Sequence, residues 1–106
     1  MKNIVFKPFA LAQFNEWVTQ DTKTHSKILT LLENILETPF AGIGKPEPLK
    51  HELSGCWSRR ITKEHRLVYQ VTNDAIIVIS CKMKKCCHFM KNFYLKRSLP
   101  WELQIL

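Results

Sequence analysis

The stretch from Gly44 to Tyr69 carries Glu47, Lys50, His51, Arg59, Arg60, Lys63, Glu64, His65 and Arg66. A carboxylate, two arginines and a lysine on one face would suit phosphodiester chemistry. Glu47 sits between Pro46 and Pro48, which stiffen its backbone. It could take a proton from an attacking hydroxyl, while arginines brace a five-coordinate phosphorane with paired N–H donors. The same residues also fit a solvated sheet face with scattered ion pairs, and composition leaves both readings open.

Sorting these side chains requires the elements that carry them. From Leu49 onward the apolar period is two. Trp57–Thr62, His65–Val71 and Ala75–Lys82 read as three strands, with turns at Ser54-Gly55, Lys63-Glu64 and Asn73-Asp74. Alternation puts Arg60 with Ser58 and Thr62, and Trp57, Arg59 and Ile61 on the other side. On the next strand Arg66 shares a face with Val68 and Gln70. Leu67, Tyr69 and Val71 form the apolar face that helices should cover, so Arg66 points away from them and Arg60 joins it if the register allows.

Two helices precede this block. Pro8 opens a pattern in which Phe9, Leu11, Ala12, Phe14, Trp17 and Val18 make a stripe with some spill-over. Asp21 is placed to cap a second helix, whose Ile28, Leu31, Leu32, Ile35 and Leu36 recur at three and four. Thr38-Pro39 ends it. The near absence of a loop between them predicts an antiparallel helical pair. Residues 40–49, rich in Gly and Pro, read as a loop. Lys2–Phe6 reads as a short strand that must join the same sheet. The expected fold is α+β: a small antiparallel sheet of four to five strands with an N-terminal helical hairpin on one face.

The chain has 106 residues, enough for one modest core. Its net charge of +7 is unevenly spread. Residues 1–80 hold ten basic and eight acidic groups, whereas residues 81–106 hold six basic groups and one acid. That balance favours a polyanionic partner, although it also serves solubility. No stretch approaches the roughly 20 apolar residues of a membrane helix, and residues 1–6 are too short for a secretory signal. Cys56, Cys81, Cys86 and Cys87 read as reduced thiols of a cytoplasmic protein, since their spacing, even with His88, does not suit zinc. No metal and no cofactor is expected. His25, His51 and His65 read as surface or structural histidines.

Residues 38–71, TPFAGIGKPEPLKHELSGCWSRRITKEHRLVYQV, closely resemble the YoeB (Txe) branch of the RelE-like toxins of bacterial toxin–antitoxin pairs. The resemblance runs from about Met1 to Cys81. It implies a toxin that is a ribosome-dependent mRNA endonuclease, an mRNA interferase that cuts mRNA in the ribosomal A site. The 2′-hydroxyl is the nucleophile and no metal takes part. It also implies a bacterial cytoplasmic location and a cognate antitoxin of the YefM/Phd-like kind, with a homodimer left open. By resemblance Glu47 matches the general base, Arg66 the arginine that stabilises the transition state, and Lys50 and Arg60 basic residues around the scissile phosphate.

The end of the chain departs from the family. Members usually close with a Tyr-His-Tyr run, whose His is the proposed acid and whose final Tyr orients a base. Here Lys84 stands in the His place and Lys85 in the Tyr place. This divides the chain into a toxin domain, 1–82, and an atypical C-terminal extension, 83–106. Lys84 is the candidate acid and Lys85 a candidate RNA contact. An ammonium near a pKa of about 10.4 donates reluctantly unless burial or the nearby Lys82, Lys85 and Arg66 lower it. A catalytically weakened toxin that still binds antitoxin and ribosome is the alternative.

Overall fold

In the computed structural model, residues 2–50 and 53–84 are described, with Met83 and Lys84 as backbone only. Lys85, Cys86, Cys87, His88 and the rest of the extension, like His51, lie outside the described residues.

Asn3–Phe6 forms β1, and Pro8–Gln20 forms α1 with proline in its first turn. The α1 stripe buries Ala10 and Trp17, with Phe14 packed against them. Leu11 and Val18 are the spill-over and stay 45% and 46% exposed. Asp21 alone links α1 to α2, Thr22–Glu37. It caps α2 as expected: its carboxylate accepts from Lys23 N at 3.1 Å, Thr24 N at 3.4 Å and Thr24 Oγ1 at 2.8 Å. The α2 stripe Thr24, Ile28, Leu31, Leu32 and Ile35 is buried.

Those hydrogen bonds, led by that from Thr24 Oγ1, hold the Asp21 carboxyl below its ordinary pKa. The folded value is the lower one. The cap's contribution is therefore present above the unfolded carboxylate value and lost as pH falls through the depressed one. The first-turn amides of α2 are expected to exchange faster in acid across that window. Asp21→Ala should remove this pH step, as read by residue-resolved hydrogen exchange at Thr24 and His25.

The remaining strands are β2 (Glu47–Pro48), β3 (Cys56–Arg60), β4 (His65–Val71) and β5 (Ala75–Lys84). They make one five-stranded sheet in the order β1-β5-β4-β3-β2. Two expectations need correction. The sheet is mixed, because β1 pairs with β5 in parallel, Asn3 opposite Ala75 through Phe6 opposite Val78. A parallel pair requires a long crossover, and the helices and β2–β4 supply it. Glu47-Pro48, read as loop, is a short edge strand, where proline's missing N–H is tolerated.

The helices cover the face predicted for them. Leu67, Tyr69, Ile76, Val78 and Cys81 join Ala10, Trp17 and the α2 stripe in the main core. The opposite face carries a second small cluster, Leu53 and Val68 with Leu49, Cys56 and Ile79 packed on it. That cluster floors the site.

Candidate active site

The site is built on rows of the sheet. Arg60 on β3 lies directly opposite Arg66 on β4. One row along, Glu47 on β2 is opposite Ser58, which is opposite Val68. Residues facing each other across a ladder share a side of the sheet, so Glu47, Arg60 and Arg66 stand on the face away from the helices. Strands about 4.8 Å apart and a two-residue offset put the backbones of Glu47 and Arg66 about 12 Å apart across β3. Small, buried Ser58 separates Glu47 from Val68 in that row.

Like charges directly opposite on a ladder are destabilising, so this arginine pair needs compensation. Arg66 is buried, at 8% exposure. Its Nη1 donates to the carbonyls of Thr62 at 2.9 Å, His65 at 3.1 Å and Lys63 at 3.4 Å. The turn is itself fixed, because Thr62 Oγ1 accepts from Glu64 N and His65 N. Burial, and next the Arg60 charge, pull the Arg66 pKa down, while the Glu47 carboxylate raises it. Among the described residues Arg60 Nε is buried without a hydrogen-bond partner. The result is an arginine pair of which Arg66 is tied to its turn before any ligand arrives, with the Glu47 carboxylate close enough to act on it electrostatically.

The other candidates are placed less completely. Lys50 is exposed just beyond β2, its carbonyl accepting from Leu53 N at 3.1 Å. At the end of β5, Met83 is the register partner of Arg66 and Lys84 that of His65. Two register shifts in β5, between Arg66 and Tyr69 of its partner strand, set this phase. Helix α1 braces the irregular stretch: Gln13 Oε1 accepts from Ser80 Oγ and Cys81 N, and Trp17 Nε1 donates to Cys81 O at 2.9 Å. Lys82 binds Glu16 at 2.7 Å and Gln20 at 2.9 Å and covers the Trp17 ring. It is therefore drawn to α1. Lys85 lies outside the described residues.

His65 is half-buried, edge-on to Trp17, with Nδ1 near Thr62 Oγ1 at 3.3 Å. His25 packs on Phe14. Both serve packing. Burial pushes the Cys81 thiol up to about 12 and raises that of Cys56, so neither is poised as a nucleophile. Sequence reasoning gave no role to Arg59. The signal was present: an arginine at an inward position between Trp57 and Ile61 must find acceptors.

Residues 6–85 match the family described as YoeB-like toxin of bacterial type II toxin-antitoxin system. The match continues past Cys81 and includes Lys84 and Lys85. Toxin YoeB of Escherichia coli K12 is 54% identical over 66 residues, 62% of this chain and 79% of that protein. A solved YoeB/ParE toxin from Agrobacterium tumefaciens superposes with a TM-score of 0.74 at 44% identity, covering 77% of this chain and 96% of that one. YoeB from Staphylococcus aureus, solved as a dimer, gives 0.73 at 45% identity over 76% and 94% of the two chains. The YoeB-YefM complex from the same organism gives 0.72 at 43% identity over 77% and 95%. With its mixed sheet, its two helices and this match over most of its length, the chain belongs to the YoeB-like toxin family of bacterial type II toxin–antitoxin systems.

Proposed function

We propose that the protein is the toxin of a type II toxin–antitoxin pair and acts as an endoribonuclease on mRNA in the ribosomal A site. The observation that carries this reading is the facing pair Arg60 and Arg66 with Glu47 beside it. Two facing guanidinium groups, one of them tied to its turn, without a full counter-charge suit a phosphodiester.

Glu47 takes the proton from a ribose 2′-hydroxyl, and the freed oxygen attacks the adjacent phosphorus. Arg66, whose Nη1 is tied to its turn, and Arg60 offer N–H donors to the equatorial oxygens as charge grows on them. The P–O5′ bond breaks, leaving a 2′,3′-cyclic phosphate and a 5′-hydroxyl. The leaving 5′-oxygen takes its proton from water, since the Lys84 position pairs with His65 and not with Arg66. Lys50 and Lys85 bind the RNA backbone. Glu47 and water carry the protons, so the reading calls on no metal and no cofactor.

The partner is an antitoxin of the YefM/Phd-like kind, supported by the Staphylococcus aureus relative solved with YefM. That relative's dimer supports a homodimer here. Among the described residues no helix is long and apolar enough to cross a membrane. The reading places the protein with ribosomes in the bacterial cytoplasm. A second reading, a weakened toxin that binds ribosome and antitoxin without efficient cutting, is favoured by Lys84-Lys85 standing where the family has His-Tyr.

The test is cleavage of a defined mRNA by the full chain, with and without programmed ribosomes. Cuts in the A-site codon that require the ribosome and vanish with a 2′-deoxy nucleotide there are expected. Cutting of free RNA at the same rate, or cutting that survives the 2′-deoxy change, would overturn the proposed mechanism.

A further inference from the structure

Arg59 neighbours Arg60 in sequence but points to the other side of the sheet and is fully buried. Its Nε donates to Tyr69 Oη at 3.1 Å. Its Nη1 donates to Asn34 Oδ1 and to Ile43 O at 2.9 Å, and its Nη2 to Thr38 O at 2.7 Å and Ala41 O at 2.8 Å. Tyr69 Oη donates in turn to Pro39 O at 2.7 Å, and Asn34 Oδ1 also accepts from Ile43 N at 3.2 Å. The carbonyls of residues 38, 39, 41 and 43 therefore turn inward on one cation and one phenol. None of these partners is a carboxylate, so neutral oxygens take the place of water around the buried charge.

The loop so gathered ends at the site. Gly44 O accepts from Arg60 N at 2.7 Å, Gly44 and Lys45 both have positive φ, and Glu47 follows Pro46. A Cβ on Gly44 would press on Leu31 and Arg59, so the loop has little slack there. β2 is two residues long on a sheet edge and cannot fix Glu47 by its own ladder. What precedes it must do so.

We propose that Arg59 is a positioning residue: it clamps the loop of residues 38–44 and thereby sets where the Glu47 carboxylate stands relative to Arg60 and Arg66. The catalytic half of this inference rests on the proposed function, whereas the clamp itself does not.

The experiment uses the full chain with Arg59→Lys, whose single ammonium cannot reach all three carbonyls, and Asn34→Ala, which keeps the arginine and removes one shared acceptor. Amide exchange reads the clamp. The amides of residues 41–47 are expected to lose about tenfold or more protection, while β4 and β5 amides keep theirs. Single-turnover cleavage on programmed ribosomes reads the positioning. The saturated rate should fall by about 10²-fold in Arg59→Lys, and less in Asn34→Ala, with an unchanged half-saturating ribosome concentration. The inference is overturned if residues 41–47 stay protected, if they and the core lose protection together in both variants, or if cutting is unchanged while the loop is loosened. Should the unaltered chain cut no mRNA, the proposed function falls, and the exchange measurements still decide the clamp.

Discussion

Changing Glu47 to Gln is expected to slow cleavage of ribosome-bound mRNA by about 10²–10⁴-fold, the range for losing a positioned general base. The substitution is nearly isosteric at an exposed edge-strand position, so thermal unfolding should move little. Removing the carboxylate also removes what raises the Arg66 pKa against its burial and the Arg60 charge. Arginine as a residue type nevertheless keeps its charge near neutral pH. RNA binding should therefore hold or strengthen while the chemical step fails, and the defect belongs to the saturated rate. Arg66→Lys makes the complementary case. It keeps a charge but loses the fork held by the turn carbonyls, and a loss of about 10²–10³-fold is expected. A Glu47→Gln protein that cuts at the original rate would assign the base elsewhere.

The second large effect concerns the end of β5. Met83 continues the ladder opposite Arg66 and Lys84 opposite His65, so the sequence at these two positions decides what the end of β5 brings to the arginine pair. A lysine whose pKa lies near 10 is poorly matched to donate at neutral pH, and well-matched acid assistance is worth about 10²–10⁴-fold. A chain cut after Lys82 and continued with Tyr-His-Tyr is expected to gain cleavage within that range. Lys84→Ala in the present chain should cost less than about tenfold. The opposite result, no gain from the new end and abolition by Lys84→Ala, would make Lys84 the working acid. Filter binding would miss the difference, since extra lysines strengthen RNA affinity by counterion release.

Much of this arrangement was legible in the residues themselves. Alternation along β3 and β4 separated Arg60 and Arg66 from Leu67 and Tyr69, because the arginines fall in one phase and the large apolar residues in the other, although β4 is buried on both faces. The Asp21 cap was legible because its chemistry is local. Three things were not. The parallel β1–β5 pairing depends on a crossover through most of the chain, which no local pattern encodes. β2 was hidden by Pro46 and Pro48, which mark a loop as readily as an edge. The irregular phase of β5 was hidden because Ile77 to Cys81 is small or apolar throughout, so alternation has nothing to distinguish. Arg59 was sorted to the correct face, but its purpose became visible only once the carbonyls of a distant loop were seen converging on it.

The strand order has a consequence for the birth of the molecule. β5, the last of the described strands to be synthesised, lies inside the sheet between β1 and β4, and it joins Asn3 to Ala75. β1 has no ladder partner until β5 emerges, and β4 lacks its second neighbour. The nascent chain must hold two amphipathic helices and an unmated first strand until then. At about 5–20 residues per second, the stretch from Arg66 to Lys84 takes on the order of seconds to make. The arginine pair thus gains its β5 backing only after residues 75–84 have been made. Long-range closure of this kind also makes for slow folding. By this topology the proposed site stays incomplete until β5 has been made.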